Sequence, residues 1–259
     1  MSIEIIKTIK DSFLETDKQY LTENTMKHLL LFFCLVTAPI WAQQTKTIHV
    51  LVALCDNKYQ GIVPVPKGIG NGQDADSNLY WGCGYGVRTY FKRSKEWKFI
   101  KSEKPYSDII LERVTFKHAT KNYTLIADAY DGKYIKTCTE NFLKNAAAGN
   151  ADLVAYVGHD GLMDFQLNTT YKNTDGKTRD VIILACYSKR FFEPHLQHAK
   201  VNPLVWTSGL MAAEAYTLHD ALTGYVNGES DEQIRLRAAK AYAKHQKCSE
   251  KAARNLFRK

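Results

Sequence analysis

Two stretches decide the fold: ADLVAYVGHDG, from Ala151 to Gly161, and RDVIILACYS, from Arg179 to Ser188. Each is a short apolar run ending on small or polar residues, the pattern of a strand buried on both faces of a sheet. The first run delivers His159, Asp160 and Gly161 at its end, and the second delivers Cys186. Read singly, these residues are bland: Cys186 is a small core residue, His159 a turn histidine and Gly161 a glycine at a tight turn. Read together they are less so, because neighbouring strands ending this way would bring an imidazole and a thiol to one crevice.

Working outward, TIHVLVALCDN (Thr47–Asn57) reads as the first strand, and DIILERVTFKHA, YTLIADAYDG and NPLVWTSG read as further strands. DADSNLYWGCGYGVRTYFK is expected to form a helix entered through Asp74 or Asp76, weakened by Gly82, Gly84 and Gly86. That glycine spacing does not fit a phosphate loop. KYIKTCTENFLKNAAAGN has helical spacing with Gly149 as its stop, and KRFFEPHLQHA reads as a short helix broken at Pro194. From Leu210 the pattern is helical, with Ser230 opening a capping sequence before the basic amphipathic stretch DEQIRLRAAKAYAKHQK. Strands alternating with helices predict an α/β fold, a three-layer α/β/α sandwich around a mostly parallel sheet.

In such sheets ligands settle beyond the carboxyl ends of the strands. His159 and Cys186 both occupy that level. A thiolate stabilised by an adjacent imidazolium is a strong nucleophile at neutral pH. It would attack an acyl carbon while His159 protonates the leaving amine and backbone N–H groups hold the oxyanion.

An apolar block ending in His and Gly, followed by one ending in Ala-Cys, resembles the caspase-like cysteine peptidases, which include legumains, gingipains, clostripains and metacaspases. Here the blocks read DLVAYVGHDG and DVIILAC, GQDADSNLYWG looks like the fold's opening helix, and LVWTSGLMAAEAY looks like the strand after the cysteine. The resemblance implies a caspase-like sheet, His159 and Cys186 as the catalytic dyad, an oxyanion hole at Asp160 and Gly161, and substrate backbone pairing at Trp206, Thr207 and Ser208. It implies no cofactor and no metal. Three features depart from the family: Asp160 stands between His159 and Gly161, Leu184 occupies a position that is often polar, and the gap from His159 to Cys186 is short. Asp160 would either orient His159 or cap the following turn, and the turn is the favoured reading. Trp206 also reads as core, and Cys55 as packing or half of a disulfide.

Composition sets the frame. The 259 residues, 45% of them hydrophobic, suffice for a full core. MKHLLLFFCLVTAPIWAQQ, from Met26, has the layout of a secretory signal cleaved near Ala42. This predicts residues 1–42 as extension and signal, Met26 as a candidate start, and residues 43–259 as a single exported domain. An amphipathic helix packed on the body is the other reading of the first 25 residues. The apolar run is too short to span a bilayer, and no integral membrane segment is expected in the mature chain. Without the four lysines and five acids of residues 1–42, 31 basic residues face 22 acidic ones, a charge of +9. The basic residues are scattered, so nucleic acid is not an expected partner, whereas a peptide or protein substrate is. Oligomeric state is not legible.

Five cysteines follow the signal, Cys55, Cys83, Cys138, Cys186 and Cys248, and an odd count leaves at least one thiol unpaired within the chain. No Cys-x-x-Cys spacing supports a zinc ribbon. His195 and His198 read as a solvated face rather than metal ligands. Ser188 and Ser208 lack the Gly-x-Ser-x-Gly elbow of serine hydrolases. The rival to the peptidase is a non-catalytic binding or scaffold protein that keeps the fold without a working oxyanion hole.

Overall fold

A computed structural model describes residues 44–257. The signal reading, with Met26 and Ala42, and the amphipathic alternative to it lie outside the described residues. The strands are β1 (Lys46–Ala53), β2 (Trp97–Glu103), β3 (Ile110–His118), β4 (Tyr123–Tyr130), β5 (Leu153–Val157), β6 (Arg179–Leu184) and β7 (Val201–Val205). They form one sheet in the order β2-β3-β4-β1-β5-β6-β7. Strands β4, β1, β5, β6 and β7 run parallel, and β2 and β3 add an antiparallel ribbon at one edge.

Alternate residues of the central strands feed two separate cores. Ile48, Val50 and Val52 of β1 with Leu153, Ala155 and Val157 of β5 face one, while Leu51, Ala53, Val154 and Tyr156 face the other. Because both faces are covered, these strands read as unbroken apolar runs. The first core is closed by α1 (Val87–Arg93), α4 (Ala215–Val226), α5 (Asp231–Gln246) and α6 (Glu250–Leu256). The second is closed by α2 (Ile135–Ala148) and α3 (Ser188–Leu196), through Ile135, Phe142, Leu143, Phe192 and Leu196. The fold is therefore α/β, with helices on both faces of a mostly parallel seven-stranded sheet. Ser230 caps α5 in a full capping box with Gln233, as its spacing predicts.

Two expectations are corrected and one strand is added. The helix expected from Asp74 begins only at Val87, and residues 74–86 make turns. The backbone doubles back so tightly that a Cβ on Gly82 would lie 1.8 Å from the Asp76 carbonyl oxygen, so no helix could hold that approach. Asn78 secures the turns, accepting from the Cys55 and Tyr80 N–H groups and donating to the Cys55 and Asn71 carbonyls. Next, α3 contains Pro194 and ends two residues beyond it, at Leu196. The ring costs one bond close to a terminus, where Phe192 and Leu196 are already buried. Finally, β2 is a strand without a hydrophobic period: six of its seven residues are exposed or half-buried, as an edge ribbon permits.

No helix among the described residues is long and apolar enough to cross a membrane. The five described cysteines are all free thiols.

Candidate active site

Parallel pairing of β5 with β6 ends at Val157 opposite Leu184. His159 and Cys186 each lie two residues further on, so the two strands release them at the same level. The next bond continues the pairing, with the Gly158 N–H donating to the Leu184 carbonyl at 3.2 Å. Gly158 has φ +145°, and a Cβ there would come within 2.6 Å of the Ala53 carbonyl oxygen, so this exit is open to glycine alone.

The backbone of His159 is fixed from below by the buried Tyr156 hydroxyl, which donates to its carbonyl at 2.8 Å. Its imidazole is 7% exposed. Nε2 meets Asp164 Oδ2 at 2.8 Å, and the same oxygen accepts the Gly61 N–H at 2.8 Å. One carboxylate thus sets the ring and ties it to the loop that follows β1. Asp164 is absent from the sequence reading, and its only signal there is position, five residues beyond the histidine.

Asp160 does not pair with His159. Its Oδ1 accepts the Leu162 N–H at 3.0 Å and caps a single 3₁₀ turn, Gly161–Met163, the turn reading of this residue. The carboxyl is fully buried, and Oδ2 has no hydrogen-bond partner. Burial pushes its pKa up to about 7, the Leu162 N–H opposing and the charge of Asp164 adding. Gly161 fits under the Phe165 ring, which a Cβ would approach to 2.6 Å. The turn's backbone bonds are donated by Met163, Asp164 and Phe165, not by Asp160 or Gly161.

Cys186 is half-buried at the tip of β6, where Tyr187, in the left-handed region at φ 49°, turns the chain into α3. Its sulfur lies 3.4 Å from the Met211 nitrogen and 3.6 Å from the Met211 carbonyl oxygen. Burial pushes the thiol pKa up, the Met211 backbone opposes, and the charge of Asp160 raises it further. The thiol and imidazole are thus each bonded to another group, Met211 and Asp164 respectively. Tyr80, from the loop after β1, also feels the charge of Cys186.

The residues expected to pair with substrate make contacts within the chain. Trp206 is 7% exposed and packs in the α2/α3 core, its indole N–H unpartnered. Thr207 is fully buried; its hydroxyl donates to the Ala185 carbonyl and accepts the Ser188 N–H, and its own N–H donates to Ser188 Oγ. These bonds lock the turn that carries Cys186. Ser208 is exposed, but its N–H donates to the Leu256 carbonyl at 2.9 Å. The N–H groups of Thr207 and Ser208 are therefore already engaged within the chain.

A cavity of about 540 Å³ opens beyond β1 and is lined by Asp56, Lys58, Lys67, Gln73 and Asp74 among others, without His159 or Cys186. Gln73 bridges the Asp56 and Asp131 carboxylates there, at 2.7 Å to each. We place the candidate chemistry at the strand tips because paired parallel strands release a thiol and an imidazole at one level there, whereas the cavity is lined by neither group. Among the described residues no group of three or more His, Cys, Asp or Glu side chains is arranged to hold a metal.

The chain matches no family model, no curated protein and no solved structure.

Proposed function

We propose that the protein is an exported cysteine endopeptidase resembling the caspase-like group, cleaving peptide bonds with Cys186 as nucleophile and His159 as proton donor to the leaving amine. The observation that carries the reading is register: paired parallel strands release the two side chains at one level, on the carboxyl side of the sheet where α/β proteins bind ligands. The Cys186 thiolate adds to the carbonyl carbon, forming an S–C bond and an oxyanion. Collapse breaks the C–N bond as His159 gives its proton to the nitrogen, and water then cleaves the thioester, returning a proton to His159 and the electron pair to sulfur. Asp164 holds the ring in place for both transfers. The N–H groups of Asp160 and Gly161, not spent on the turn, are the candidate oxyanion donors.

A panel of fluorogenic peptides differing in the residue before the scissile bond tests this, with Cys186→Ala as the blank. Turnover that disappears in the blank is expected. No turnover anywhere in the panel would turn the assignment toward the second reading, a non-catalytic binding protein on the same scaffold. That reading draws on the burial that raises the Cys186 thiol and on the engaged N–H groups of Thr207 and Ser208.

A further inference from the structure

The far end of the sheet carries a hydroxyl and an imidazole in direct contact. Ser94 follows α1 and precedes β2, whose Trp97 pairs with His118 at the end of β3, beside the first residues of β4 and β1. This is the amino edge of the parallel strands, opposite the tips that release His159 and Cys186. Facing Ser94, α4 supplies His219 and Asp220. Ser94 Oγ lies 2.8 Å from His219 Nε2, and His219 Nδ1 lies 3.1 Å from Asp220 Oδ1. Ser94 and His219 line one open cleft of about 390 Å³, together with Tyr90, Arg93, Lys95 and Glu96. We propose that Ser94, His219 and Asp220 form a serine esterase site that hydrolyses small carboxylic esters.

Donor counting fixes the direction of each bond. The Asp220 carboxylate only accepts, so Nδ1 carries the proton, Nε2 of the neutral ring is a bare acceptor, and the Ser94 hydroxyl donates to it. That is the state in which an imidazole can take a serine proton. The hydroxyl is not spent on the helix end, because the Ser94 N–H closes α1 on the Phe91 carbonyl, while Oγ accepts the Glu96 N–H at 3.1 Å. The imidazole is set edge-on against Tyr90 and Phe91, each ring centroid 5.4 Å away. Glu96 Oε2, held by the Thr223 hydroxyl at 2.7 Å, stands 3.9 Å from Nε2, where it favours the imidazolium that proton transfer creates.

In the first step Ser94 Oγ bonds to the ester carbonyl carbon as its proton passes to Nε2, and the C–O bond then breaks with that proton leaving on the alcohol. Water next adds to the acyl carbon and gives a proton to Nε2; the Oγ–C bond breaks, the acid departs and the proton returns to Oγ. The Lys95 N–H, which among the described residues bonds no backbone carbonyl, is the candidate donor to the oxyanion. A single backbone donor in an open cleft suits an ester, whose carbonyl is less resonance-stabilised than an amide's.

Hydrolysis of p-nitrophenyl acetate by the full chain carrying Cys186→Ala, where the thiol contributes nothing, is the expected activity. Adding Ser94→Ala or His219→Gln should lower kcat/KM about a hundredfold, and Asp220→Asn should lower kcat while KM stays in place. Diisopropyl fluorophosphate forms an Oγ–P bond as fluoride leaves, and it should modify Ser94 of the wild-type chain, mapped by mass spectrometry, with no variant needed. An unmodified Ser94 would overturn the inference, as would ester turnover that survives Ser94→Ala. The site stands apart from the peptidase reading: an inert peptide panel beside a modified Ser94 removes the thiol peptidase and leaves the esterase, and peptide turnover beside an unreacted Ser94 does the reverse.

Discussion

Asp160 and Asp164 sit four residues apart on one turn, and their surroundings give them different tasks. Asp164 is part-exposed and spends one oxygen on His159 and Gly61. Asp164→Ala frees the ring to rotate and should lower kcat/KM on any cleaved peptide about a hundredfold, with an unchanged circular dichroism spectrum. Asp160 is buried without a cation, so its ionisation works against the fold. Between its ordinary 3.8 and about 7 the folded chain holds a proton that the unfolded chain has lost, so stability falls as pH rises through that window and the loss is complete above it. The shift corresponds to on the order of 4 kcal/mol. Asp160→Asn should therefore be more stable than wild type to urea at pH 8, the gap closing toward pH 4, and equal gaps at both pH values would refute the buried charge. Neither role is legible in the string GHDGLMDF. Two acids four residues apart look alike until the backbone decides which one is enclosed.

At the scale of elements, the site depends on how two strands end. Gly158 lets β5 leave the sheet beneath the Ala53 carbonyl, at a φ of +145°. Gly158→Ala should cost about 3 kcal/mol in chemical denaturation, and a loss under 1 kcal/mol would show that the exit tolerates a side chain. The β6 to α3 turn is clamped by Thr207 from the far side of β7. Thr207→Val leaves the Ser188 N–H and the Ala185 carbonyl without that partner, for an expected loss of about 2 kcal/mol. Labelling of Cys186 should then lose its dependence on the fold, approaching the rate in denaturant. The strands themselves were legible, because burial on both faces forces apolar runs at Leu51, Val154 and Ile183 alike. The ribbon strand β2 was not, since an edge with Phe99 and Ile100 half in water leaves no periodic trace. Nor was the turn region before Val87, where Gly82 meets the Asp76 carbonyl through a contact that no propensity encodes.

For the whole molecule, the five cysteines among the described residues, all unpaired, make a checkable set. Alkylation in denaturant without reductant, mapped by mass spectrometry, should label Cys55, Cys83, Cys138, Cys186 and Cys248 alike; each disulfide among them would remove two. In the native state the exposed Cys248 should react first and the fully buried Cys55 and Cys138 last. The amino-acid order alone settled that this is an α/β chain with a mostly parallel sheet, and that His159 and Cys186 close consecutive strands, because apolar periodicity and strand length are local properties. Only the tertiary structure decided that those strands are neighbours in register, that Asp164 holds the imidazole while Asp160 caps the turn between them, and that Trp206 and Thr207 are enclosed. Those outcomes depend on enclosure and on partners distant in the chain, and a side chain's solvation is set by what folds over it rather than by what flanks it.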